Sequence, residues 1–224
     1  DSAYLHRTPS SAGNLKTYTF SCWAKRTTLG LKRFVSGEPS VGGTSMSFGF
    51  TSSNELQLLD ESFGVDLHVK SNAVFRDVSA TYHFLFAVDT TQATASNRAK
   101  IYVNGEQITS LSASTYPDQN DESEQFNTTT TQSIGARVQL TNSFSEFYDG
   151  YVSDVNFIDG SSFFSDTSGT PNSSFNINSF GETKNGVWIP IDTSGLTFGT
   201  KKTTLLLGMY LMLKEMLIHF QKVI

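Results

Sequence analysis

The chain has 224 residues and a net charge of −5, with 18 Phe but only two Trp, five Pro and one Cys. A mildly acidic balance offers no basic footprint for nucleic acid, a single Cys excludes an intrachain disulfide, and scarce Pro with low charge speaks against a disordered polymer. Short apolar runs set between Ser, Thr, Asn and Gly favour β structure, and all-β sandwiches of this length occur as single units.

The first residues carry no signal-peptide pattern and enter strand-like sequence almost at once, which reads as a piece cut from a longer polypeptide. Residues 3–7 form a short edge strand ended by Thr8-Pro9. Residues 17–25 alternate, with Tyr18, Phe20, Cys22 and Ala24 on one face and Thr17, Thr19, Ser21 and Trp23 on the other. Trp23 predicts that the second face is covered as well, and Cys22 reads as a small core residue. Residues 34–36, 46–50, 55–59 and 65–69 are further short strands separated by turn residues, in the rhythm of an antiparallel sandwich.

Residues 82–105 organise the middle of the chain. Tyr82, Phe84, Phe86 and Val88 share one face of a strand, and Leu85 and Ala87 the other, so both faces are apolar. A polar loop over 89–98 leads to a strand at 100–103 and then Asn104-Gly105, the pair that a type I′ hairpin turn requires. Residues 106–111 are the expected return strand, and 112–131 a long polar loop with the acidic cluster Asp118, Asp121, Glu122 and Glu124. Residues 132–138 read as one strand. Within 144–158, Tyr151, Val155 and Phe157 are expected to alternate against Val152, Asp154, Asn156 and Ile158. Residues 161–178 are a Ser/Asn/Phe/Thr loop, and 187–191 a last short strand.

Residues 201–224 differ in kind. They hold no Ser, Asn or Asp and three of the four Met, and Leu205, Met209, Met212, Met216, Phe220 and Val223 recur at helical steps. The segment is too short and too charged for a membrane span. It reads either as an out-of-frame or truncated end or as a short C-terminal helix that docks on a neighbour.

Several of these stretches carry a family resemblance. Tyr82-His83, Ala87-Val88-Asp89 and Lys100-Ile101-Tyr102-Val103-Asn104-Gly105, with residues 19–25 and 149–155, resemble laminin-G-like, concanavalin A-like jelly-roll domains. The resemblance runs from residue 3 to about residue 160 and implies an all-β antiparallel sandwich. The expected organisation is a jelly roll over 1–160, a loop-rich extension packed on it over 161–200, and the atypical tail. The segments Tyr4-Leu5…Arg7-Thr8-Pro9, Val88-Asp89-Thr90-Thr91, Val155-Asn156-Phe157-Ile158-Asp159-Gly160 and Gly186-Val187-Trp188-Ile189-Pro190 look like structural proteins of tailed, often marine, phages.

Domains of this fold bind glycans, bind proteins, hydrolyse glucans or only build structure, and fold does not choose among these. Hydrolysis needs two carboxylates facing one another across the scissile bond. A Glu-x-Asp-x-Glu strand would supply them, and none is present; Asp60-Glu61, Glu146…Asp149 and Asp118…Glu124 have the wrong spacing or lie in loops. Calcium is the one metal the family pattern brings into view, with Asp89, Asn97, Asp118, Asn120, Asp121 and Asp154 as oxygen donors, although ordinary turn chemistry accounts for the same residues. Zinc has no Cys partners for the scattered His6, His68, His83 and His219. Glycan binding would use Tyr116, Phe126, Phe147 and Tyr148 beside Asn120, Gln125 and Asn127, and the alternative is that these aromatics pin long loops to the body.

The expected function is a non-catalytic structural or adhesion module of a phage virion, in the tail or an appendage, made in the bacterial cytoplasm. Its partners would be other virion proteins or host-surface glycans, with a homo-oligomer as an option and no nucleic acid. The alternatives are a carbohydrate-active enzyme domain and a spacer without ligand.

Overall fold

The computed structural model describes residues 3–38, 45–62 and 66–198. In chain order the strands are β1 (Leu5–Arg7), β2 (Thr17–Arg26), β3 (Lys32–Gly37), β4 (Met46–Phe50), β5 (Glu55–Asp60), β6 (Leu67–Val74), β7 (Thr81–Asp89) and β8 (Ala99–Val103). There follow β9 (Glu106–Gln107), β10 (Leu111–Thr115), β11 (Gln132–Ile134), β12 (Arg137–Gln139), β13 (Ser143–Ser145), β14 (Gly150–Asp159), β15 (Gly181–Lys184) and β16 (Val187–Pro190). A seven-stranded antiparallel sheet, β1-β11-β3-β4-β5-β6-β10, packs on a five-stranded one, β14-β2-β7-β8-β9. This is the jelly-roll sandwich that the alternating runs predict. The expected C-terminal helix lies outside the described residues.

The core between the sheets is built largely from Phe. Phe20 and Phe86 pair directly across β2 and β7, and their rings stack at 5.7 Å. Phe34, Phe48, Phe50 and Phe84 meet them from both sheets, all fully buried. Close-packed rings of this kind add to their area burial through edge-to-face and offset contacts. The Asn104-Gly105 turn forms as expected, with φ of 49° and 84°. It is braced by the Asn104 Oδ1 that accepts from the His83 amide at 2.8 Å.

The outer face of the five-stranded sheet is covered, as Trp23 predicts. Leu85, Ala87, Ile158, Phe163 and Phe180 form a second apolar cluster, with Phe175, Ile177, Leu196 and Phe198 packed against it. Residues 161–178 are an ordered layer on this face. Asp166 closes a turn by accepting from the Ser168 and Thr170 amides, and Asn176 caps a short 3-10 turn at Ile177–Ser179. The layer ends in a hairpin, β15–β16, whose turn is Asn185-Gly186 at φ 52° and 78°. The sequence pattern shows only its second strand, because Gly181–Lys184 has little apolar character.

Three expected elements are drawn differently. The return strand 106–111 is short: only β9 pairs with β8, and the chain then crosses to pair β10 with β6 in the opposite sheet. Ile108 and Leu111 both pack on the core. Three residues apart, they would face opposite ways on one straight strand, so the chain bends between them. The strand 132–138 breaks at Gly135 (φ 81°), and β12 leaves the sheet to form a hairpin with β13. The alternation proposed for 151–158 fails at a bulge, where Asp154 takes φ 48° and the register against β2 shifts. Val152 therefore joins Val155 and Phe157 on the core side, and Tyr151 is 71% exposed.

Candidate functional site

Most polar side chains at one end of the sandwich are spent on bracing loops. Asp89, at the end of β7, accepts from Thr17, from the Thr91 amide and hydroxyl at 3.1 and 2.6 Å, from Gln92 Nε2 at 2.8 Å and from the Ser162 hydroxyl. Asp159, at the end of β14, accepts from the Asn14 amide at 2.7 Å and Asn127 Nδ2 at 2.6 Å. Asp60 is fully buried and takes Ser123 Oγ at 2.6 Å on one oxygen and the Ser62 amide and hydroxyl on the other. Burial outweighs these three donors and pushes its carboxyl up to about 6. Arg98 donates to the carbonyls of Gln92, Ala93 and Pro117 and so ties the loop after β7 to the loop after β10.

This arrangement does not fit a calcium ion. Both oxygens of Asp89 are already taken. Asp154 sits in the β14 bulge, and Asn97 belongs to a 3-10 turn before β8. Asp118 and Asp121 do lie together, joined by the Asp121 amide on the Asp118 carbonyl at 3.2 Å. Asn120, at φ 66°, donates its amide to the Thr90 carbonyl. Among the described residues no group of three or more His, Cys, Asp or Glu is placed to hold a metal.

The candidate glycan-binding side chains scatter. Phe126 is fully buried in the core, against Tyr18, Phe86 and Phe157, and Tyr148 is buried against Phe34. Neither is open to a ligand, and both pin their loops. Gln125 is buried and accepts from the Met46 amide. Asn127, at φ 60°, holds Asn14 and Asp159. Phe147 is half-buried beside Tyr4, whose ring also meets Phe144, on another part of the surface. Turn and core duties explain these residues because a strand-and-loop pattern does not distinguish an aromatic that caps a core from one that faces solvent.

Tyr116 has a different setting. It lines a cleft of about 240 Å³ at the open side of the sandwich, where β8 and β9 of one sheet approach β6 and β10 of the other. Val69, Ala99, Ile101, Ile108 and Leu111 provide apolar lining, and Ser96, Asn97, Gln107, Thr109 and Tyr116 polar lining. Lys100 also lines it, but its Nζ sits over the Phe164 ring, 4.7 Å from the centroid. Burial lowers the Lys100 ammonium and raises the Tyr116 hydroxyl. Asn97 and Tyr116 were legible as polar and aromatic loop residues. Ser96, Gln107 and Thr109 were not, because only the crossing from β9 to β10 brings them to the same opening.

Buried His83 and Ser21 are hydrogen-bonded at 2.8 Å, which raises the question of a nucleophile. The Trp188 indole donates to His83 Nδ1 at 3.3 Å, so Nδ1 bears no proton and Nε2 carries it toward Ser21. The imidazole therefore donates to the hydroxyl where a general base would have to accept. Trp23, Phe180 and Trp188 rings surround it, and burial pushes the imidazole down to about 4. The pair is structural.

Two antiparallel sheets, with loops braced at the ends and an opening at the side, define a lectin-like jelly-roll scaffold. The chain belongs to the concanavalin A-like lectin/glucanases superfamily: its laminin-G family model matches residues 2–162. No curated protein matches the chain in sequence. Among solved structures, a heptameric SAP-like pentraxin from Limulus polyphemus is similar at 15% identity and a TM-score of 0.47, over 69% of this chain and 68% of that one. The CBM40 of a Ruminococcus gnavus sialidase, bound to α2,3-sialyllactose, is similar at 13% identity and 0.47, over 67% and 90%. The enzymatically active domain of tailspike protein 2 of bacteriophage CBA120 is similar at 10% and 0.42, over 71% of this chain and 24% of that one. At these values the likeness concerns fold and does not choose a ligand.

Proposed function

We propose that this chain is a non-catalytic recognition module that binds glycans on a cell surface. One observation carries the reading: among the described residues, no Asp or Glu lines the side cleft. Most glycoside hydrolysis uses two carboxylates flanking the bond. The buried carboxylates of the described residues are instead committed to loop bracing, as at Asp60, Asp89 and Asp159. Such bracing favours binding, since a pre-ordered surface loses less entropy when a ligand arrives.

The setting we infer is a phage particle, with the module in the tail or an appendage and other virion proteins as its neighbours. The support is the resemblance of residues 4–9, 88–91, 155–160 and 186–190 to phage structural proteins. Labelling of intact virions with an antibody against this chain tests the setting, and its absence from particles sinks it.

Binding and turnover are separated by one experiment. The protein is applied to an array of bacterial and algal polysaccharides, and every binder is then incubated with it and assayed for new reducing ends. Binding without release is expected. Reducing ends that vanish on substitution of one carboxylate would make it a glycosidase, and an empty array would make it a spacer.

A further inference from the structure

We propose that the side cleft between β8–β9 and β6–β10 is a saccharide subsite that takes a single uncharged sugar ring, with Tyr116 as its aromatic wall. The inference rests on the recognition reading above and goes further by placing the site and naming the ligand class.

The size comes first. At about 240 Å³ the cleft falls just below the roughly 300–1,000 Å³ of pockets that enclose drug-sized ligands. It suits one ring with the rest of a chain outside it. The lining has the two components that sugar recognition needs. The partly exposed Ile108 and Leu111 can meet the C–H face of a ring, and a half-buried aromatic, Tyr116, gives it a flat surface.

The polar side chains here differ from those of the loop end in how they are used. Asn14, Gln92, Gln125 and Asn127 all hydrogen-bond within the protein. Among the described residues, the side chains of Asn97, Gln107, Thr109 and Tyr116 make no such bond. Tyr116 is half-buried, so its hydroxyl benefits from a partner that comes with the ligand, whereas the Asn97 amide packs against Gly169. Amides offer both donors and acceptors, which matches the alternating hydroxyls of a sugar.

Charge narrows the class. Among the described residues no carboxylate lines the cleft, so these offer nothing to a cation or an amino sugar. The cation that lines it among the described residues, Lys100, lies against Phe164. A uronic or sialic acid would therefore enter without a free counter-charge, and a neutral hexose fits better.

Arg98 is a positioning residue for this site. Its guanidinium holds the Pro117 carbonyl, next to Tyr116, to the carbonyls of Gln92 and Ala93. It acts through the backbone and does not line the cleft.

The test titrates the methyl glycosides of glucose, galactose and mannose, and sodium glucuronate, into the isotope-labelled protein while amide resonances are followed. At least one neutral glycoside should shift the amides of residues 96–101, 107–111 and 116 with a Kd on the order of 1 mM, and glucuronate should bind more weakly. Gln107→Ala, which leaves the core untouched, should weaken binding several-fold. Tyr116→Ala should weaken it about tenfold and Tyr116→Phe by much less, which separates loss of the ring from loss of the hydroxyl. Arg98→Lys should weaken binding without changing the preference for neutral over charged sugars. Shifts confined to residues 118–131, or stronger binding of glucuronate, would refute the cleft while leaving glycan recognition standing. Absence of shifts with all four sugars, together with an empty polysaccharide array, would refute both.

Discussion

Two buried groups titrate in the same pH window with opposite effects on stability. Asp60 is pushed from 3.8 up to about 6, chiefly by burial. Its folded value lies above its unfolded one, so the native state holds the proton more tightly, and stability falls as pH rises from about 4 to 6. At about 1.4 kcal/mol per pH unit the loss is roughly 3 kcal/mol. His83 is pushed from 6.5 down to about 4, again by burial. Its folded value lies below its unfolded one, so its contribution is complete above pH 6.5 and is lost as pH falls toward 4, by a similar amount of roughly 3 kcal/mol. In the wild-type protein the two effects oppose one another, on top of a rise with pH that His68, lowered by burial and then by the Lys70 charge, adds equally to all three proteins. Single substitutions should expose the hidden slopes. Asp60→Asn should leave a stability that rises with pH by roughly 3 kcal/mol across the window, and His83→Gln one that falls by about as much. Urea unfolding followed by Trp fluorescence in small pH steps measures all three. The exposed carboxylates Asp77, Asp149, Asp166 and Asp192 are held low by their hydroxyl and amide donors. They lose stability only toward more acidic pH and do so equally in the three proteins. Three parallel curves would refute the reasoning.

The two Asn-Gly turns form a matched test of backbone and packing. Gly105→Ala places a Cβ 2.5 Å from the Trp188 ring at φ 84°, whereas at Gly186, φ 78°, nothing lies within 4 Å. The first should cost clearly more than the roughly 1 kcal/mol of backbone strain expected at the second, read as the difference in urea midpoints. Phe180→Ala, in the cluster that fastens the outer layer to the five-stranded sheet, should cost about 3–5 kcal/mol and speed proteolysis within residues 161–198 ahead of the sandwich. Asn127→Ala removes a hydrogen bond from Asp159 and one from the Asn14 carbonyl. It should cost about 1–3 kcal/mol in thermal unfolding yet leave sugar titrations unchanged. A chelator should leave the melting temperature where it is, since Asp89 already has five donors; a fall of several degrees reversed by calcium would show that the braced loop end holds an ion after all.

Part of the site was legible from local pattern and part was not. Tyr116 stood out as an aromatic in a polar loop, and it lines the cleft. Phe126 and Tyr148 stood out for the same reason and are core, because an aromatic after a loop reads alike whether it points in or out. Asp89 looked like a metal ligand, and its neighbours Thr17 and Ser162 turned out to take its oxygens, one of them from 73 residues away in sequence.

The sequence by itself determined the strands with strict alternation, such as β2 and β7, and the Asn104-Gly105 turn. Period-two burial and the need for two residues at positive φ are local properties, written within about ten residues. It also determined that the outer face of β2 and β7 would be covered, since Trp23, Leu85 and Ala87 sit there. Only the tertiary structure decided what covers it, how the chain bends between Ile108 and Leu111 to change sheets, and where the Asp154 bulge turns Val152 inward. Those outcomes depend on which distant surfaces compete for the same apolar side chains, and the cleft exists only because two sheet edges, far apart in sequence, stop short of each other at one side.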